Sequence, residues 1–127
     1  MPSELNIEKV GQISVNVHDL QRAVVFYRDT LELPLIWQGP NMAFFACGDL
    51  RLYLSVPERP EFDHPSSVIY FQVRDIHEAS GTLTSRGVEL LGAPHEVGRL
   101  GNVAVWMAFF RDSEGNTLAV QSEVPIH

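Results

Sequence analysis

A strand–helix pattern that occurs twice constrains this chain more than any other feature of its sequence. Residues 11–31 (GQISVNVHDLQRAVVFYRDTL) begin with alternating apolar and polar side chains, which is the period of a strand. After Asp19 the apolar side chains recur every three or four residues, which is the period of a helix. Residues 67–87 (SVIYFQVRDIHEASGTLTSRG) repeat this order with Asp75, 56 residues after Asp19. Both aspartates predict helix N-caps, and the repeat indicates two copies of one unit.

Three further strands follow the helix in each copy. We predict them at residues 35–37, 42–47 and 50–56 in the first copy, and at 88–91, 103–111 and 117–122 in the second. Residues 95–97 are expected to extend an edge, and residues 98–102 to form a loop. The whole chain, 1–127, is predicted to be a single domain with repeat one at 10–56, a linker at 57–66 and repeat two at 67–123. The predicted fold class is α+β, with two βαβββ repeats whose curved mixed sheets, each backed by a helix, enclose a cavity.

Composition excludes several classes of function. A net charge of −7 disfavours nucleic acid, which requires a basic surface. No apolar run reaches the roughly 20 residues of a membrane span, and the first residues (MPSELNIEK) lack the apolar core of a signal peptide. We therefore expect a cytoplasmic protein that interacts with neither nucleic acid nor membrane. Cys47 is the only cysteine, so an intrachain disulfide and a cysteine-based zinc site are both excluded.

Three segments carry a resemblance to a known family. They are VNVHDLQRAVVFYRDTLEL, VRDIHEASGTLTSRGVEL and FFRDSEGNTLAV. The segments and the duplicated βαβββ plan resemble the vicinal oxygen chelate superfamily, which includes glyoxalases, extradiol dioxygenases, epimerases and the bleomycin- and fosfomycin-resistance proteins. The resemblance extends from about residue 10 to residue 123 and implies the fold described above. It does not imply one reaction, because this family uses one scaffold for many chemistries.

The resemblance also implies where a metal would be bound. Metal-dependent members hold a divalent ion with His, Gln or Glu side chains from four strands, and the matching positions in this sequence are Gln12, Tyr53, Val68 and Ala119. Val68 and Ala119 offer no donor atom, and the Tyr53 phenol is protonated near neutral pH. The neutral amide of Gln12 alone is a poor ligand. We therefore predict no metal and no other cofactor, which argues against glyoxalase and extradiol dioxygenase activity.

The same frame predicts the lining of the cavity. Polar and aromatic side chains alternate with the apolar ones that face the helices, and those predicted to bind a ligand are Gln12, Ser14, Asn16, Arg51, Tyr53, Tyr70, Gln72 and Gln121. A purely structural core would not favour so many polar groups, so we interpret the set as a pocket for a small polar molecule. The alternative is that the cavity is filled with water or is covered by a partner chain.

The roles of Arg51 and His95 each have two possible interpretations. Arg51 is suited to bind a carboxylate or a phosphate, or else it is a rim arginine that reaches solvent. His95, which precedes Glu96, is a candidate general acid–base, or else an exposed loop histidine. Cys47 is interpreted as a small core residue.

Two classes of function follow from this sequence. The first is a glyoxalase/bleomycin-resistance-like protein that binds a small molecule and lacks the metal site. The alternative is an enzyme of the lyase, isomerase or dioxygenase type that is metal-independent or uses displaced ligands. In either case a homodimer is expected, because small duplicated folds of this type leave strand edges that need a partner.

Overall fold

Two four-stranded mixed sheets form the framework of the chain. The structure is a computed structural model that describes residues 5–126, so predictions about residues 1–4 and 127 lie outside it. The first unit consists of β1 (Gln12–Asn16), α1 (Leu20–Val25), β2 (Leu35–Gln38), β3 (Met42–Cys47) and β4 (Leu50–Ser55). Its strand order is β1-β4-β3-β2, with β1 parallel to β4 and the other pairs antiparallel.

The second unit repeats this topology. It consists of β5 (Ile69–Gln72), α2 (Ile76–Ser85), β6 (His95–Leu100), β7 (Val103–Arg111) and β8 (Thr117–Pro125), in the strand order β5-β8-β7-β6. A short 3-10 turn, Pro60–Phe62, lies in the predicted linker between the units. The predicted α+β fold of two βαβββ repeats is therefore confirmed.

The two N-caps are as predicted. The Asp19 carboxylate accepts the backbone N–H of Arg22 at 3.1 Å, and Asp75 accepts those of His77 and Glu78 at 3.0 and 3.1 Å. Each aspartate thus satisfies amides that the first helical turn leaves without a partner. After α2, Gly87 has a φ of +85°, the left-handed conformation that ends a helix and that glycine adopts most easily.

The first helix differs from the continuous α-helix that its apolar periodicity predicts. α1 ends at Val25, and Phe26–Thr30 forms a π-helical turn in which the Leu31 N–H bonds to the Phe26 carbonyl at 3.0 Å. A π turn adds one residue to the helical turn, and a 3.6-residue pattern over so short a segment does not reveal it.

Two predictions about the outer edge of the second sheet are wrong. Residues 88–91 form no strand: Leu90 makes only an isolated bridge to Phe110. The strand beside β7 is instead β6, which includes most of the loop predicted at residues 98–102. Its register shifts between Glu96 and Gly98, and such a bulge breaks the alternation by which a strand is recognised in sequence.

The core lies on the helix side of each sheet. Val15 on β1, Val17 just after it, and Leu52 and Leu54 on β4 are fully buried beneath α1, as the alternation predicted. On β7 the corresponding face carries Trp106, Ala108 and Phe110, which pack toward α2. These residues belong to one continuous apolar cluster that spans both units.

Polar contacts join the two units at one junction. The hydroxyl of Tyr27, fully buried after α1, donates to the Asp112 carboxylate at 2.6 Å in the turn between β7 and β8. In the same turn, Glu114 accepts the backbone N–H of His18 at 2.5 Å and the Arg22 guanidinium at 2.9 Å. This turn of the second unit therefore adds to the cap of the first unit's helix.

Candidate functional site

The face of each sheet that points away from its helix carries the predicted ligand residues. We call these the open faces. On sheet one, β1 and β4 are in a register that sets Gln12 beside Arg51, Ser14 beside Tyr53, and Asn16 beside Ser55. Side chains at such paired positions lie on the same face of a sheet. Five of the eight predicted residues are thus neighbours on the open face of sheet one.

An aromatic row crosses this face beside those residues. The rings of Phe44 and Tyr53 are stacked, with centroids 5.0 Å apart and planes 18° apart. Trp37 continues the row, its ring centroid 6.2 Å from that of Phe44, and its side chain is about half exposed (52 %). The row therefore presents a broad aromatic surface to any molecule that lies on this face.

Arg51 is held above the aromatic row. Its guanidinium carbon lies 5.3 Å from the Phe44 ring centroid, and its Nη2 donates to the Gln12 side-chain oxygen at 3.2 Å. A guanidinium in cation–π contact keeps most of its N–H groups free. The free groups suit a carboxylate or another anionic group placed beside the aromatic surface.

Asn16 donates hydrogen bonds to residues of the linker. Its side-chain amide donates to the Asp63 carboxylate at 3.2 Å and to the His64 carbonyl at 3.0 Å, and its backbone N–H donates to the Ser66 hydroxyl. The hydrogen bond from Asn16, followed by that from His18, holds the pKa of Asp63 below its ordinary value. Asn16 therefore fixes the linker against the end of β1.

The open face of sheet two carries the other three predicted residues. Tyr70 on β5 lies beside Ala119 and makes an edge contact with Phe109, with ring centroids 5.9 Å apart. In the next row the Gln121 amide donates to the Gln72 side-chain oxygen at 3.0 Å. This face thus combines an exposed aromatic ring with a pair of amides.

His95 lies on β6 in the same row as the two amides. Its partner on β7 is Met107, which in turn pairs with Gln121. Its Nδ1 is 3.1 Å from the Ala93 carbonyl oxygen, to which only a protonated nitrogen can donate. Glu96 is opposite Trp106, on the helix side of the strand, and its carboxylate lies 3.7 Å from Arg99. His95 and Glu96, which are adjacent in sequence, therefore lie on opposite faces.

The predicted residues form two groups, and a cavity lies beside the second group. This cavity of about 1090 Å³ opens between the two units, is lined by α2 and by consecutive residues of β5, and includes Tyr70 and Gln72 alone among the eight predicted residues. The sequence also did not predict Trp37 and Phe44 as part of the open face of sheet one. The cross-strand pairing of Trp37 with Phe44, and of Phe44 with Tyr53, is the signal that would have revealed them.

The four positions that the resemblance implies for a metal do not supply a suitable set of donors. The Gln12 oxygen already accepts from the cationic Arg51, and Ala119 is fully buried beside Tyr70. Within residues 5–126, no cluster of three or more His, Cys, Asp or Glu side chains has a geometry that could hold a metal ion. The residues present thus do not fit the divalent metal of the metal-dependent members.

The part of the chain that the structure describes contains no helix long and apolar enough to cross a membrane.

Comparison with known proteins supports the topology. One relative is the uncharacterized protein YraH of Bacillus subtilis (strain 168), which is 27 % identical over 126 residues, or 88 % of this chain and 96 % of the relative. A solved structure of a glyoxalase/bleomycin resistance protein/dioxygenase superfamily member from Sphaerobacter thermophilus is 25 % identical, with a TM-score of 0.77. That similarity covers 92 % of this chain and 98 % of the other.

Two further structures share the fold at lower identity. The antibiotic-binding protein TnmS3 from Streptomyces sp. CB03234 has a TM-score of 0.76 and 23 % identity, over 93 % of this chain and 98 % of the other. A lactoylglutathione lyase from Agrobacterium tumefaciens has a TM-score of 0.75 and 20 % identity, over 91 % and 94 %. The model of one family matches residues 9–120. This chain therefore belongs to the Glyoxalase/Bleomycin resistance protein/Dioxygenase superfamily.

Proposed function

We propose that this protein binds a small polar molecule with a flat aromatic part and an anionic group, on the open face of sheet one. The observation that carries the proposal is the aromatic row of Trp37, Phe44 and Tyr53 with the Arg51 guanidinium beside it. Stacking on a flat row favours a planar ligand, and Arg51 favours a carboxylate or phosphate on that ligand. The Gln12 amide and the Ser14 hydroxyl on the same face would add hydrogen bonds that select among such molecules. Tyr70 and Gln121 would contribute only if a second chain places its sheet two over this face.

Binding is proposed to occur without a metal. Two of the four family positions, Val68 and Ala119, have no donor atom, and Arg51 already donates to the oxygen of Gln12. A divalent ion placed beside a guanidinium would also be repelled by its charge. Elemental analysis of protein purified without chelator tests this part. We expect no stoichiometric metal, and zinc, nickel, iron or manganese bound through Gln12 would contradict it.

A thermal-shift panel tests the choice of ligand. 4-Nitrobenzoate should raise the melting temperature more than its uncharged analogue 4-nitrobenzyl alcohol or the non-planar cyclohexanecarboxylate, since a ligand stabilises the state that binds it. Arg51→Ala should remove the preference for the charged compound, whereas Arg59→Ala, a change at an exposed linker arginine, should preserve it. Equal shifts for all three compounds would contradict the proposed recognition.

An enzymatic function remains the second candidate, and the position of His95 favours it. His95 lies in one row with Met107, Gln121 and Gln72 on the open face of sheet two. If two chains of a homodimer bring their open faces together, this imidazole becomes a general acid–base for a lyase or isomerase reaction on the bound molecule. His95→Ala would then abolish turnover while ligand affinity stays the same, whereas a binding protein would show no turnover in either form.

Three further expectations complete the proposal. The chain acts as one domain, is located in the cytoplasm and forms a homodimer. The exposed open faces support the dimer, because Trp37 and Tyr70 expose about half of their side chains (52 % and 44 %) in the single chain.

A further inference from the structure

The cavity between the two units does not include the aromatic row of sheet one, although Tyr70 and Gln72 of sheet two line it. We call it the junction cavity. Its volume of about 1090 Å³ is slightly above the roughly 300–1,000 Å³ of known ligand pockets, and ligand pockets occur preferentially where two structural units meet. A second pocket, beside His95, has only about 230 Å³. The walls of the junction cavity are mainly apolar and include Ile13, Leu31, Leu50, Phe71, Leu83 and Val120.

The repeat explains how this cavity arises. At one junction, the end of the first helical segment meets the turn between β7 and β8, where Tyr27 fills the space and bonds to Asp112. At the equivalent junction, α2 and the turn between β3 and β4 both line the cavity. Leu83 stands there 56 residues after Tyr27 and has no hydroxyl, and the connecting turn has only two residues, Gly48 and Asp49.

The shorter turn and the smaller side chain leave a hollow at the second junction. Cys47 and Gly48 at the end of β3 line it on one side, and Ala79 and Leu83 of α2 on the other. The cavity thus results from the differences in turn length and side-chain size between two otherwise equivalent junctions.

Charged side chains surround the mouth of the cavity. Arg86 on α2 forms an ion pair with Glu32 and donates to the Thr30 carbonyl at 2.7 Å, so that its charge is already compensated. Arg74, Asp75 and Glu78 also line the cavity. The lining therefore has three carboxylates and two guanidinium groups, of which Glu32 pairs with Arg86 and Asp75 caps α2. Glu78 is the remaining carboxylate of the lining, within a chain of net charge −7. A cationic head group complements this distribution of charge.

We propose that the junction cavity binds a small amphiphile with an apolar body and a protonated amine. The apolar body would lie among the leucine, isoleucine and phenylalanine side chains between α2 and β5. The ammonium group would lie at the mouth near Glu78. This site does not depend on the ligand proposed for the open faces.

Cys47 provides a direct readout of occupancy. It lines the cavity, is half-buried and is the only cysteine of the chain. Burial raises the pKa of its thiol, so its reaction with a thiol reagent is best followed at mildly alkaline pH. A molecule bound in the cavity should slow this reaction.

The test measures the rate of Cys47 modification in the full chain with octylamine, octanoate or octanol, all below their aggregation concentrations. At about ten times its Kd, octylamine should slow the reaction about tenfold, because only the unoccupied fraction reacts. Octanoate should protect much less. Protection by octanoate equal to that by octylamine would overturn the assignment of the head group, and no protection by octylamine would overturn the site.

Three variants locate the effect. Ala79→Phe fills the cavity from α2 and should abolish protection, while Thr84→Phe, at an exposed position of the same helix outside the cavity lining, should retain it. Glu78→Gln, an exposed change that keeps the side-chain size, should remove the preference for octylamine over octanol. Unchanged protection in Ala79→Phe, or an unchanged preference in Glu78→Gln, would overturn the proposal.

Discussion

The Tyr27 hydroxyl and the Asp112 carboxylate form a buried hydrogen bond in the core. Asp112 accepts four hydrogen bonds: from Tyr27, from the Glu114 and Asn116 backbone amides, and from the Asn116 side chain. Burial, and then the charge of Asp112, raise the pKa of Tyr27 far above its ordinary value. The phenol therefore acts as the hydrogen-bond donor to Asp112.

Tyr27→Phe should destabilise the fold by about 1–3 kcal/mol, because it leaves a buried carboxylate oxygen without one of its donors. Equilibrium unfolding in urea measures this change. Tyr53→Phe, which removes a hydroxyl from the partly exposed open face of sheet one, is the matched control and should leave stability within about 0.5 kcal/mol of the parent. Equal stabilities of the two variants would show that the bond to Asp112 contributes little.

At this scale the sequence predicted part of the open face of sheet one but not its aromatic row. Arg51 and Tyr53 were predicted from the alternation of one strand, and they do lie on the open face. Phe44 was missed because its role depends on its position opposite Tyr53 and Trp37, which only the strand register supplies. Asn16 was predicted as a ligand residue, but its amide bonds to a linker 47 and 48 residues away, which no local pattern indicates.

At the scale of elements, the turn between β7 and β8 holds the N-terminus of α1. Burial raises the pKa of Glu114, but the hydrogen bonds from the His18 backbone and the Arg22 side chain outweigh it. The pKa of Glu114 in the folded protein is thus below the ordinary value of 4.5. A depressed carboxyl pKa contributes stability above the unfolded value, and this contribution is lost as the pH falls through 4.5 toward the folded value.

Glu114→Gln should therefore be destabilising by about 1–3 kcal/mol at pH 7, where the charged hydrogen bonds are intact. The difference from the parent should shrink as the pH falls below 4.5. Urea unfolding at several pH values measures both quantities. Glu89→Gln, at an exposed position, should show no such convergence, and a pH-independent effect of Glu114→Gln would contradict this account.

The elements that were predicted correctly are those set by local chemistry. The caps at Asp19 and Asp75, and the strands of regular alternation, depend on residues within one or two turns. β6 was predicted only in part because its alternation is broken at Gly98, and the π turn after α1 has no distinct sequence signal. Residues 88–91 are apolar like a strand, but the Val88 N–H bonds to Leu83 at the end of α2, and β7 offers them only an isolated bridge.

At the scale of the whole molecule, each sheet has an edge strand that is parallel to its only neighbour in the sheet. These strands are β1 in the first sheet and β5 in the second. An exposed edge with unpaired peptide groups favours a partner. We therefore expect a homodimer, and light scattering at micromolar concentration should give twice the mass of one chain. A monomer under these conditions would contradict the expectation.

The arrangement of the two units was the part of the site least accessible to sequence. Alternation assigned side chains to the open faces but did not reveal the cavity between the two units, which α2 and β5 line. Its position depends on contacts such as Tyr27 with Asp112, which are 85 residues apart, and on the lengths of two turns in different units. The absence of a bound metal also stays a prediction, because it was inferred from the side-chain donor atoms at four positions.

Fluorescence of Trp37 reports binding at the aromatic row itself. The chain has two tryptophans, and Trp106→Phe leaves Trp37 as the single reporter on the aromatic row. Titration with 4-nitrobenzoate should quench it to saturation. Adding Arg51→Ala should weaken binding by about 1.5–3 kcal/mol, or roughly ten- to 150-fold in Kd, as expected for a hydrogen bond to a charged group. Quenching without saturation, or the same Kd with and without Arg51, would contradict the claim that this face binds an aromatic anion.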